Sequence, residues 1–191
     1  MKAVRGSLLV KLVGGDNAWE ERLELDCGTL YLAGEENVER NAKSEAIVYS
    51  SGVDGLKEGD RVGLDYRVFF DYHLVGDTKV YKNKIVEGGE VYWYVSGDLV
   101  LWVMRDGIME GVNGNVMLEG VKADKVGFLI AVGASNRMTD DMKAGVGIVR
   151  SRVEGLDVGD EVYFNEKWRN EYKFGGKVYN VIHLDKLDYK R

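Results

Sequence analysis

The chain has 191 residues, 45% of them apolar and 30% charged, and a net charge of −6. It can bury a core and is too apolar to be a disordered segment. The acidic balance and the lack of any Lys/Arg-rich run argue against a nucleic-acid partner, because phosphate binding needs clustered positive charge. No apolar stretch reaches the roughly 18 residues that span a bilayer. The opening residues MKAVRGSLLVKLVGGD lack the long apolar core of a signal peptide, so the expectation is a cytoplasmic protein that engages no membrane. Cys27 is the only cysteine, and His73 and His183 are the only histidines. An internal disulfide and a cysteine-based metal site are thereby excluded, and no metal or cofactor is expected.

In chain order, the apolar segments are short, rich in Val, Leu, Ile and Tyr, and punctuated by Gly, Asn and Asp, which is the grammar of strands. The first half offers SLLVKLV (7–13), TLYLA (29–33), AIVYSS (46–51), DRVGLDY (60–66), EVYWYV (90–95) and DLVLWVM (98–104). The second offers NVML (115–118), GFLIAVG (127–133), GIVRSRV (147–153), DEVYFN (160–165) and KVYNVIHL (177–184). The best helical stretch, NRMTDDMK (136–143), is polar and short and reads as a loop. The carboxylates of Asp16, Glu20, Glu21, Glu24 and Asp26 have no histidine among them and read as a solvated loop.

Three echoes link the halves. GLKEGDRVGL (55–64) returns as GLDVGDEVYF (155–164), and GGEVYWY (88–94) returns as GGKVYNV (175–181). Tyr72 and Tyr172 keep the first spacing, so the first half carries thirteen extra residues, about VGDTKVYKNKIVE, which read as a loop insertion. The third echo is the glycine-bracketed run GTLYLAG (28–34), which has two partners in the second half, GNVMLEG (114–120) and GFLIAVG (127–133). In both halves Gly59 or Gly159 permits the positive φ of a tight turn, and Asp60 or Asp160 can accept from nearby backbone N–H groups. That reading needs no chemistry from either aspartate.

Each half resembles a GroES-type co-chaperonin subunit. The resemblance rests on GVDGLKEGDRVGLD and RVEGLDVGDEVYFN running into a Gly-Asp turn and strand, and on EGGEVYWYVSGDLVLWV and GGKVYNVIHLDKLDY as closing stretches. SLLVKL resembles the family's first strand, with LVLWVM as its equivalent in the second half. SSGVDGLKEGD and RSRVEGLDVGD leave little room for the family's roof hairpin, an omission similar to that of some phage-encoded members. The tandem arrangement resembles the double-domain chloroplast co-chaperonins.

The resemblance implies an all-β fold of two tandem GroES-like β-barrels, Greek-key-like and partly open, with few or no helices. The units would span residues 1–98 and 99–191. It further implies a homo-oligomer that caps a GroEL-like chaperonin ring and assists protein folding. Each unit would dock through a flexible loop carrying a small apolar payload, weak alone and effective in numbers. The docking residues would be Leu30, Tyr31 and Leu32 in the first unit and Val116, Met117 and Leu118 in the second, with Leu129 and Ile130 as the alternative. Without the resemblance, all of these read as buried strand residues.

No enzyme is expected. GroES-like barrels occur in medium-chain dehydrogenases, but this chain has neither their Cys/His zinc ligands nor a strand-to-helix glycine-rich loop, and no Ser or Cys nucleophile has a credible base. The competing function is a non-catalytic assembly module, for instance in a phage particle, that uses the same fold without a chaperonin partner.

Overall fold

The computed structural model describes residues 1–19, 22–25, 28–31, 42–76, 78–122 and 142–190. The first elements are β1 (Ser7–Leu12), β2 (Arg22–Leu25), β3 (Gly28–Tyr31), β4 (Glu45–Ser51) and β5 (Arg61–Leu64). Next come β6 (Tyr72–Val75), β7 (Thr78–Tyr81), β8 (Lys84–Glu87), β9 (Glu90–Ser96), β10 (Val100–Arg105) and β11 (Ile108–Gly111). β12 (Asn115–Lys122), β13 (Met142–Val149), β14 (Ser151–Arg152) and β15 (Glu161–Phe164) follow, then β16 (Asn170–Phe174), β17 (Lys177–His183) and β18 (Leu187–Lys190). Among the described residues the only helical pieces are 3₁₀ turns of three to five residues, such as Tyr66–Phe70, so the fold is all-β as expected. No helix among them is long and apolar enough to cross a membrane.

Two sheets carry the architecture. The larger runs β14-β11-β10-β5-β4-β1-β9-β8 and the smaller β16-β17-β12-β13-β15-β18. Their pairings correspond strand for strand: β1 lies between β4 and β9 as β12 lies between β13 and β17, and β5 joins β10 as β15 joins β18. Strand alternation sends Leu8, Val10, Val48, Val62, Trp93, Val95 and Val103 into one core with Val68 and Phe69. Val116, Leu118, Val149, Val162, Phe164 and Ile182 form the corresponding core of the smaller sheet.

The Gly-Asp turns take the form expected from sequence. Gly59 and Gly159 have φ of +87° and +105°, and both fold back to donate to a β-strand carbonyl, of Val48 at 2.8 Å and Val149 at 2.9 Å. Asp60 Oδ2 accepts from the Lys57 N–H at 3.0 Å, and Asp160 Oδ2 from the Asp157 N–H at 2.7 Å. Each aspartate closes its own turn, which fixes where the following strand enters the sheet.

Between the sheets lies a third apolar cluster. Leu101 and Trp102 of β10 pack onto Met117 of β12, Tyr172 and Phe174 of β16, and Tyr179 and Val181 of β17. Trp102 meets Phe174 edge-on at 5.2 Å, and Tyr172 stacks on Phe174 at 5.7 Å. Burial here raises the Tyr179 phenol above its ordinary pKa. At the rim, β11 pairs in parallel with β14, Arg152 meets Glu110 at 3.1 Å, and Glu45 accepts from the Gly175 N–H.

Four sequence expectations change here. β10 hydrogen-bonds to β5 and β11 in the interior of the larger sheet, so the strand expected to serve both halves belongs to the larger sheet alone. The first strand of the smaller sheet is β12, not LVLWVM. The thirteen extra residues are no loop, because they supply β7 and β8. β8 flanks β9 as β16 flanks β17, while β6 and β7 form a separate two-stranded sheet. GIVRSRV is two strands, with β13 ending at Val149 and β14 turning to pair with β11. Of the stretch read as a polar loop, residues 136–141 lie outside the described residues, and Met142 and Lys143 begin β13.

Gly63 is the position that admits Trp102. A Cβ there would stand 2.0 Å from Trp102 Nε1, so no larger residue fits while the indole keeps its place. Gly63→Ala is expected to destabilise the protein by about 1–3 kcal/mol through overpacking, and Met117→Ala by about 2–5 kcal/mol through the cavity it leaves. Urea denaturation followed by tryptophan fluorescence measures both, and a Gly63→Ala variant as stable as the parent contradicts the packing described.

Candidate docking hairpin

The connection between β1 and β4 leaves the core and returns to it at a fastened base. Ala18 and Ala42 are 2% and 3% exposed, and their small side chains let the two chain segments run close together. The Lys43 N–H donates to the Ala18 carbonyl at 2.8 Å, the Val13 N–H donates to Glu45 O at 2.8 Å, and Trp19 bridges to Ala42. Trp19 sits edge-on against Phe69 and Phe70, both at 5.8 Å, and donates from Nε1 to Tyr81 Oη at 2.9 Å. The Lys79 ammonium lies 4.8 Å from the Tyr72 ring and 5.9 Å from that of Trp19. The β6–β7 hairpin, built partly from the extra residues of the first half, therefore braces this base.

Beyond the base, β2 and β3 pair with each other in a two-stranded sheet of their own. The register sets Leu23 opposite Leu30, Leu25 opposite Gly28, Glu24 opposite Thr29 and Arg22 opposite Tyr31. By strand alternation, positions 23, 25 and 30 fall on one side of this ladder and position 31 on the other. The strand formed by Arg22–Leu25 was not among the segments expected from sequence, although the alternation Arg-Leu-Glu-Leu carries a strand signal. Leu32 lies outside the described residues.

The second-half assignment to Val116, Met117 and Leu118 is corrected. All three are 0% exposed in β12, with Val116 and Leu118 in the core of the smaller sheet and Met117 under Trp102. A strand hydrogen-bonded on both sides cannot offer its residues to a partner without unfolding the sheet. GFLIAVG, with Leu129 and Ile130, belongs to the connection between β12 and β13, the counterpart of the one that holds β2 and β3; those residues lie outside the described ones.

Among the described residues no three His, Cys, Asp or Glu side chains come together as a metal site. A shallow groove of about 510 Å³ runs between Met1, Lys2, Tyr49–Ser51 and Leu56–Glu58, with no clustered acid or base in it. No protein-family model matches the chain, and no curated protein matches it.

The brace makes the base testable by itself. Trp19→Ala is expected to speed protease cutting between β1 and β4 on the order of tenfold, equivalent to about 1.4 kcal/mol of easier local opening, with the rest of the chain uncut. Tyr81→Phe, which removes one hydrogen bond worth about 1 kcal/mol, is expected to give a smaller increase. Limited proteolysis with mass-spectrometric mapping measures both, and equal cutting in all three proteins removes the brace from the account.

Proposed function

We propose that this chain is a tandem co-chaperonin that caps a GroEL-like chaperonin ring in the cytoplasm and works without catalysis. The observation that supports this best is the β2–β3 pair, a small apolar-rich element that among the described residues pairs only with itself, on a base fastened to the larger sheet. Such an element binds weakly and reversibly, and several of them on one scaffold bind together. The matching strand pairings of the two sheets support a division into two units, with the boundary moved from 98/99 to the turn between β11 and β12. Leu23, Leu25 and Leu30 are the docking residues of the first unit, with Tyr31 and Leu32 beside them, and Leu129 and Ile130 serve the second.

The test is protection of the hairpin. Adding a GroEL-like ring with nucleotide is expected to slow protease cutting within residues 16–45 at least about tenfold. Leu23→Asp with Leu30→Asp abolishes that protection while leaving the melting temperature within a few degrees of the parent. Protection unchanged in the double variant removes these residues from the docking site. No protection of the parent by any ring favours the other function, a non-catalytic assembly module without a chaperonin partner.

A further inference from the structure

The turn after β5 is richer in rings than such a turn requires. Residues Tyr66–Phe70 form a 3₁₀ turn capped by Asp65, whose carboxylate accepts from the Arg67 N–H at 2.8 Å. The corresponding turn after β15, Glu166–Trp168, is capped in the same way by Asn165, which accepts from the Lys167 N–H at 3.1 Å. That second turn buries no residue, so the cap and the backbone suffice to form it. Tyr66, Phe69 and Phe70 are thus not needed to build the turn.

The three rings point three ways, as the roughly 120° between successive residues of a 3₁₀ turn allows. Phe69 enters the core of the larger sheet and meets Trp93 edge-on at 5.0 Å. Phe70 lies at the surface, edge-on to Trp19 at 5.8 Å. Tyr66 approaches Tyr172 of β16 at 6.0 Å and meets Phe70 edge-on at 5.7 Å. Among the described residues Tyr66 is the one partly buried apolar side chain that packs on both the core of the larger sheet and the cluster between the sheets. Neighbouring rings therefore run without a break from Trp19, at the root of the β2–β3 excursion, through Phe70, Tyr66 and Tyr172 to Phe174 and Trp102.

The backbone of the turn is tied at both ends. The Asp65 N–H donates to Leu99 O at 2.8 Å, one residue before β10. The Lys82 N–H donates to Asp71 O at 2.9 Å and Asn83 Nδ2 to Val68 O at 2.8 Å, both from the connection between β7 and β8. Held in this way among close-packed neighbours, the turn cannot shift at Phe70 and stay still at Tyr66.

We propose that the turn Tyr66–Phe70 couples the root of the β2–β3 excursion to the contact between the sheets, so that loosening either one loosens the other. When the root opens, Trp19 leaves Phe70, and the turn loses the support that holds Tyr66 against Tyr172. When Trp102 leaves its place, Phe174 and Tyr172 relax and withdraw support from Tyr66 on the other side. Such coupling is reciprocal, since the same free energy links the two openings. Whatever steadies the excursion of the first half then also steadies the smaller sheet. This coupling belongs to the chain alone and needs no chaperonin.

Native-state hydrogen exchange of the full chain tests it, because exchange responds to openings too small for a protease to use. The Lys43 N–H, which donates to Ala18 O, reports the root, and the amides of β16 report the contact between the sheets. Trp102→Leu is expected to speed exchange at Lys43 at least about fivefold, and Trp19→Ala to speed exchange in β16 by a similar factor. Phe70→Ala, at an exposed position, and separately Tyr66→Ala cut the run of rings, and in either background each effect is expected to fall below about twofold. Circular dichroism checks folding, and Phe70→Ala alone decides the matter if Tyr66→Ala does not fold. Ile182→Val, in the core of the smaller sheet away from the rings, lowers stability and is expected to leave exchange at Lys43 unchanged. Unaltered exchange at Lys43 in Trp102→Leu, effects undiminished in a cut background, or equal acceleration by Ile182→Val overturns the coupling.

Discussion

The burial of Trp102 against the outer face of the smaller sheet is the constraint on which the rest of the molecule depends. An indole ring carries one of the largest apolar areas of any side chain, and here it is 1% exposed on a strand that belongs to the other sheet. Its ring nitrogen has no hydrogen-bond acceptor among the described residues, a cost of about 1–3 kcal/mol. The ring therefore stabilises this position through its size and its edge-on contact with Phe174. This apolar contact, together with the β11–β14 pairing and the Arg152–Glu110 ion pair at the rim, joins two similarly ordered sheets.

That junction gives meaning to the two excursions from the sheets. Each leaves between the strands that correspond to β1 and β4. A docking element at such a place needs a firm root and a free end, since ordering a loose root on binding would consume the small energy that a few leucines supply. In the first half the root is Trp19, wedged between Phe69 and Phe70 and bonded to Tyr81. The aromatic brace comes partly from residues that the second half lacks.

Much of the strand inventory was legible because it depends on local chemistry. Alternation of apolar and polar residues marks β1, β4, β5, β9, β10, β15 and β17. The Gly-Asp turns were readable down to the aspartate's backbone hydrogen bond, since positive φ and a short carboxylate act within four residues. The extra residues were readable as an insertion but not as strands, because Thr78–Tyr81 and Lys84–Glu87 acquire strand form from the partners they pair with. The residues expected to dock were the hardest to place. Leu30 and Met117 look alike in sequence, each in a short apolar run near a glycine.

The sequence by itself determined an all-β chain with echoing halves, tight Gly-Asp turns and one extra segment, because each of these is written in neighbours along the chain. The fold, by contrast, placed β10 within the larger sheet and β12 within the smaller one, buried Met117, and paired β2 with β3 in a sheet of their own. Burial and strand partnership are set largely by residues tens of positions away along the chain, as Trp102 with Gly63 and Met117 with Val181 show. No local pattern carries that information.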